Sequence, residues 1–127
     1  MAEGYLRFYA GNKARVYSAG LEELGIHRKA LSVMYEDGID LRPHTSNLYE
    51  EYSHINFDYI ITVCDISKEN CPPQPTAQKF HYSFPDPTRL EGSVEEVRAE
   101  FRRVRDIIKA YCNNFVAEQL NPQPLNT

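Results

Sequence analysis

The chain has 127 residues, 42% hydrophobic and 25% charged, enough to bury the core of one ordinary domain and too few for two of typical size. Its formal charge of -4, with lysine and arginine dispersed among acids, excludes a broad nucleic-acid or anionic-membrane footprint, so an anionic substrate would have to be held locally. No apolar run approaches the roughly 18 residues that span a bilayer, and three cysteines with no secretory hydrophobic segment predict free thiols in a reducing cytoplasm.

Met1 to Ala10 has the composition of a helix, with Tyr5, Leu6, Phe8 and Tyr9 as apolar contacts and Gly11-Asn12 placed to end it. Arg15 to Ala19 is a short β-prone run closed by Gly20. Arg28 to Asp37 then sets Leu31, Met34 and Tyr35 at helical spacing ahead of a terminating Gly38. His44 to Asn47 offers capping side chains to a further helix through about His54. Phe57 to Cys64 is nearly continuous in apolar and β-branched residues, the pattern of a parallel-sheet strand buried on both faces.

Asp65 to Gln78 reads as a polar, proline-bearing loop, Lys79 to Phe84 as a short strand, and Pro85-Asp86-Pro87 as a rigid connection in which neither proline can donate a ladder hydrogen bond. Ser93 and Glu96 form a capping box. Beyond it Val97, Phe101, Val104, Ile108, Tyr111 and Phe115 recur at steps of four and three, one apolar stripe down a long helix. Strands alternating with helices predict an α/β fold, a central parallel sheet between helical layers, spanning residues 1–120 as a single domain with a frayed tail over 121–127. Ligands are then expected at the carboxyl ends of the strands, where Ala19-Gly20, Cys64 and Pro85-Asp86 fall.

Cys64 and Cys71 are seven positions apart, the first at the end of the predicted strand and the second in the following loop. They are either a buried hydrophobe and an incidental loop thiol, or a redox pair in which a mobile thiolate approaches a sulfur fixed at a strand end, with Lys68 nearby to favour thiolate. Asp86, stiffened by its flanking prolines, is either ordinary turn chemistry or a general acid presented from a rigid loop. Arg89, Glu91 and Gly92 read as solvated loop, and Cys112 as a buried thiol. His44 and His81 read as structural histidines: no second metal-type residue stands at a diagnostic spacing, so neither metal nor cofactor is expected. Covalent chemistry on a tetrahedral oxyanion would also need a loop of N–H groups and a nucleophilic cysteine. The cysteine-x5-arginine pattern is missing, since Asn70, Ala77 and Glu118 stand six positions beyond the three cysteines.

In order and spacing, MAEGYLR, VYSAG, IDLRPHTS, FDYIITVCD, the NCP at Asn70 to Pro72, HYSFPDP and the long helix after EGS resemble the thioredoxin-coupled arsenate reductases, a branch of the low-molecular-weight protein tyrosine phosphatase superfamily. The resemblance covers about residues 1 to 112, and its most specific part is the pair Cys64 and Cys71 with Asp86 downstream. It implies an oxyanion substrate, Cys64 attacking an arsenylated cysteine, Cys71 attacking Cys64 to carry the disulfide outward to a thioredoxin-like reductant, and Asp86 protonating the leaving oxygen. It also implies that the family's first strand and phosphate-binding loop lie upstream of the segment matching Met1. The expectation is therefore an N-terminally truncated chain, inactive as given. The alternatives are a tyrosine phosphatase of the same fold, or a non-catalytic redox or interaction module. Loss of an internal strand further predicts that the Val16 and Ile60 strands pair directly, or that protomers exchange strands to cover exposed edges.

Overall fold

The computed structural model describes residues 1–19, 27–43, 47–63 and 74–120. Among them two compact units are distinguished, one drawing on residues 1–18, 27–43 and 86–120, the other on residues 19, 47–63 and 74–85.

The first unit is helical. Helix α1 spans Ala2–Ala10 and ends at Gly11, whose φ of 57° is the left-handed conformation that glycine adopts without strain. Helix α2 spans Arg28–Glu36. Past its end the Gly38 N–H donates to the Tyr35 carbonyl at 3.0 Å and the Ile39 N–H to the Met34 carbonyl at 2.9 Å, the paired bonds of a Schellman stop, with Gly38 at φ 81°. Helix α3, Val94–Phe115, opens on the expected capping box: Ser93 Oγ accepts from the Glu96 N–H at 3.1 Å. It continues into a π-helical turn over Val116–Leu120.

The core lies where α1 and α2 meet α3. Phe101, Val104, Ile108, Cys112 and Phe115 are buried along α3, following the predicted stripe, while Val97 and Tyr111 are half-buried at its margin. On α2 the buried face is Ala30, Val33 and Met34, one position round from the predicted Leu31, Met34 and Tyr35. Tyr35 is 65% exposed instead, its ring under the Arg42 guanidinium at 5.8 Å. Gly4 lets α1 approach closely, since a Cβ there would stand 2.9 Å from both Ile39 Cγ2 and Leu41 Cδ2.

A polar clasp joins the three helices. The Tyr5 hydroxyl donates to Asp37 Oδ2 at 2.6 Å, and Lys109 Nζ lies 2.8 Å from the same oxygen. Lys109 first and Tyr5 second hold the Asp37 carboxyl below the usual aspartate range, while burial and Asp37 push the Tyr5 phenol upward. A carboxyl lowered on folding contributes stability that is present above its unfolded pKa of about 3.9 and is lost as pH falls through the folded value. Wild type is therefore expected to exceed Asp37→Asn in unfolding free energy at neutral pH and to converge on it below about pH 4. Urea titrations at stepped pH check this; a gap that widens in acid would reverse the sign.

The predicted strand over Arg15 to Ala19 does not form. Its Val16 carbonyl accepts from Arg7 Nη2 at 2.8 Å, and the Ser18 hydroxyl bonds Glu3, so side chains of α1 hold the run. The expected direct pairing of the Val16 and Ile60 strands is accordingly not made: among the described residues the sheet has two strands, and the Val16 run is in neither.

In the second unit β1, Tyr59–Thr62, and β2, Gln78–His81, pair in parallel with Tyr59 opposite Gln78 and Thr62 opposite His81. The parallel pairing agrees with the sequence. All four β1 residues are half-buried rather than buried on both faces, a departure from the expected inner strand. The predicted helix through His54 is reduced to a 3-10 turn, Tyr49–Tyr52. Beyond it Gln74 donates to the Ile55 carbonyl at 2.9 Å and accepts from the Phe57 N–H at 3.0 Å, holding the segment that leads into β1. His44 to Ser46, the proposed caps, and the 121–127 tail lie outside the described residues.

Candidate active site

Asp86 is extended at φ -92° and ψ 107°, as a residue before proline must be, and it caps the 3-10 turn Pro87–Arg89 with Pro87 buried beneath it. Its Oδ1 accepts from the Thr88 N–H at 2.9 Å and from the Thr88 hydroxyl at 2.5 Å. Arg89 Nε lies 3.7 Å from Oδ2, too long for a good hydrogen bond but close enough for charge attraction. The Thr88 hydroxyl and then its N–H lower the Asp86 pKa, with smaller contributions from the charges of Arg89 and His27.

The side chain is 50% exposed, so a solute can reach it, and in this state it is an anion at neutral pH. A general acid must be protonated when it acts. A neighbouring anion raises the pKa of an aspartate by like-charge repulsion. His27 belongs to the same surroundings: Nδ1 accepts from the Lys29 N–H at 3.1 Å to cap α2, and its ring centroid is 5.2 Å from that of Phe101.

Cys64 and Cys71 lie outside the described residues, as does Gly20. The chain leading to Cys64 is anchored as far as Val63, where the Tyr82 N–H donates to the Thr62 carbonyl at 3.0 Å and the Phe84 N–H to the Val63 carbonyl at 3.2 Å. Cys112 is the buried thiol that the sequence suggests. It is 0% exposed, its Sγ lies 3.7 Å from the Ala2 carbonyl, and burial pushes its pKa up to about 12, so it is an inert thiol.

The sequence reading missed Thr88 and His27 as neighbours of Asp86. The Asp-Pro-Thr run carries a signal for Thr88, because an aspartate commonly accepts from the residue two positions on. Nothing local connects His27, 59 positions upstream in the chain, to Asp86.

An α/β fold with a parallel strand pair, three packed helices and a proline-flanked aspartate narrows the class. The sequence profile of the low molecular weight phosphotyrosine protein phosphatases matches residues 1–124. The chain belongs to that family. Its relatives include the arsenate reductase of Bacillus subtilis (strain 168), 39% identical over 109 residues that cover 85% of this chain and 78% of the relative. Arsenate reductase 1 of Staphylococcus epidermidis is 40% identical over 116 residues, 91% of this chain and 83% of its own. Among solved structures, an arsenate reductase in its oxidized state superimposes with a TM-score of 0.77 at 28% identity, covering 92% of this chain and 86% of that one. One in its phosphate-binding state gives 0.74 at 31% identity over the same shares.

Proposed function

We propose that this chain serves arsenate reduction, with Cys64 and Cys71 as the thiol relay and Asp86 as the acid. What carries the reading is the seven-residue spacing of Cys64 and Cys71 in a chain that is 39% identical over 109 residues to an arsenate reductase. A thiolate in a phosphate-type loop displaces one oxygen of arsenate, which leaves as water once Asp86 has protonated it. The Cys64 thiolate attacks that thiolate's sulfur; the sulfur–arsenic electron pair passes to arsenic, arsenite leaves, and a disulfide forms. The Cys71 thiolate then attacks the Cys64 sulfur, releasing the first thiolate and leaving a Cys64–Cys71 disulfide for a dithiol reductant of the thioredoxin type.

No cysteine of the 127 residues has an arginine six positions on, so the reading assigns the first, arsenate-attacking thiolate to none of Cys64, Cys71 and Cys112. The reading carries with it an oxyanion substrate, a reducing cytoplasmic setting and strand exchange between copies as the way exposed edges are covered. Among the described residues no helix is long and apolar enough to cross a membrane.

Mild oxidation of the 127-residue chain, followed by peptide mapping, is expected to show a Cys64–Cys71 disulfide that thioredoxin reduces, with Cys112 left as a free thiol. A product in which Cys64 and Cys71 remain unlinked would sink the relay.

A second reading, a protein tyrosine phosphatase, is favoured by the family match over residues 1–124. It needs Asp86 and no relay thiols, and the two readings part on Cys71.

A further inference from the structure

A carboxylic acid that donates a proton has two oxygens, and which one carries the proton depends on what already occupies their lone pairs. In Asp86 the two differ. Oδ1 takes both hydrogen bonds from Thr88, the N–H at 2.9 Å and the hydroxyl at 2.5 Å, and these use its two acceptor directions. Oδ2 has Arg89 Nε at 3.7 Å, beyond a good hydrogen bond, and the Arg89 side chain is 87% exposed and able to swing aside. Rotation about the Cβ–Cγ bond exchanges two equivalent oxygens and leaves the arrangement as it was, one oxygen held by Thr88 and the other not.

We infer that Thr88 is a positioning residue for the acid: its hydroxyl and N–H together occupy Oδ1, so the proton that Asp86 transfers is carried on Oδ2. This rests on the reading of Asp86 as the acid. Thr88 has two consequences for the chemistry. It leaves a single oxygen free of Thr88, on a side chain that is 50% exposed, and it favours the ionised carboxylate until an anion arrives. The charged or titratable groups that act on this carboxylate are Arg89 of the same turn and His27 at the cap of α2; both favour the anion, and neither touches Oδ1.

The test is a pH titration of the aspartate carboxyl carbons by NMR on the intact 127-residue chain, with the Asp86 signal identified by its disappearance in Asp86→Asn. Thr88→Val and Thr88→Ala remove the hydroxyl bond and keep the N–H bond; both are expected to raise the Asp86 midpoint toward the ordinary aspartate range. Thr88→Ser restores a hydroxyl and is expected to hold the midpoint at the wild-type pH, a rescue that a purely structural role for the Thr88 methyl would not produce. Midpoints in the valine and alanine variants equal to wild type, or a serine variant that rises as far as valine, would overturn the assignment. Should both hydroxyl-free variants fail to fold by circular dichroism, the wild-type chain decides. An Asp86 midpoint below the ordinary range supports the proposal, and one within that range refutes it. A missing Cys64–Cys71 disulfide in the oxidation experiment would defeat the reductase reading and leave this titration as it is, so the two failures are told apart.

Discussion

Phe101→Ala is expected to cost about 3–5 kcal/mol of stability, the range for truncating a buried phenylalanine when the cavity left behind collapses only in part. The ring is 2% exposed, clusters with Ala30 and Val33 of α2, and has Met1, Val97 and the His27 imidazole against it. It therefore couples α3 to α2 and to the residue that caps α2. Small domains unfold with roughly 5–15 kcal/mol in hand, so a loss of this size removes a large part of the total. Near the thermal midpoint, where each kcal/mol is worth about 2–8 °C for a chain of this length, the melting temperature should fall by about 6 °C or more. Thermal and urea unfolding followed by circular dichroism measure it. A loss under about 1 kcal/mol would show that the Phe101 cluster does not organise the helical unit, because even conservative core truncations cost that much.

The features legible in the sequence are those whose causes are local. The capping box of Ser93 and Glu96 needs four residues, the Gly38 stop needs six, and the α3 stripe repeats often enough that one register stands out. Helix α2 is shorter and carries apolar residues at 30, 31, 33, 34 and 35, so two adjacent faces fit its period. Packing against Phe101 selects Ala30 and Val33, the close approach of Gly4 of α1 selects Met34, and no local rule could. The failures at Arg15 to Ala19 and beyond Tyr52 have the same origin. A strand exists only if a partner offers it hydrogen bonds, and the Val16 carbonyl is claimed by Arg7 of α1 instead. The helix predicted through His54 stops as a 3-10 turn at Tyr52, and the chain after it is held by Gln74, which reaches back 17 positions to the Phe57 N–H. At the site the balance is similar. Asp86 is legible because prolines flank it, and its bond to Thr88 is implicit in Asp-Pro-Thr, whereas the influence of His27 follows from the packing of α2 on α3.

The relay makes a sharper demand than the fold does. Supplied ahead of Met1 with a strand and a loop bearing cysteine-x5-arginine, the chain is expected to reduce arsenate continuously in the presence of thioredoxin, and Cys71→Ser is expected to abolish that turnover while sparing one event per molecule. Attack of the loop thiolate on arsenate and of Cys64 on that sulfur together release one arsenite and end in a disulfide; without the Cys71 thiolate nothing carries the disulfide outward, and the nucleophile stays blocked. A burst of one arsenite per chain followed by a plateau is thus the signature of the variant. Cys64→Ser should remove the burst as well, since no thiol is then placed to take the sulfur from arsenic, and Cys112, buried and with its pKa near 12, cannot substitute. A phosphatase behaves differently: hydrolysis of an aryl phosphate uses the loop thiolate and Asp86 and returns the thiolate with water, so Cys71→Ser would leave it unchanged. Rapid-quench measurement of arsenite alongside aryl phosphate turnover, on the same preparations, decides between them. Aryl phosphate hydrolysis without any arsenite burst in the parent would give the chain to the phosphatases, whereas a burst that survives loss of Cys71 and vanishes with loss of Cys64 assigns the two thiols to successive steps in that order.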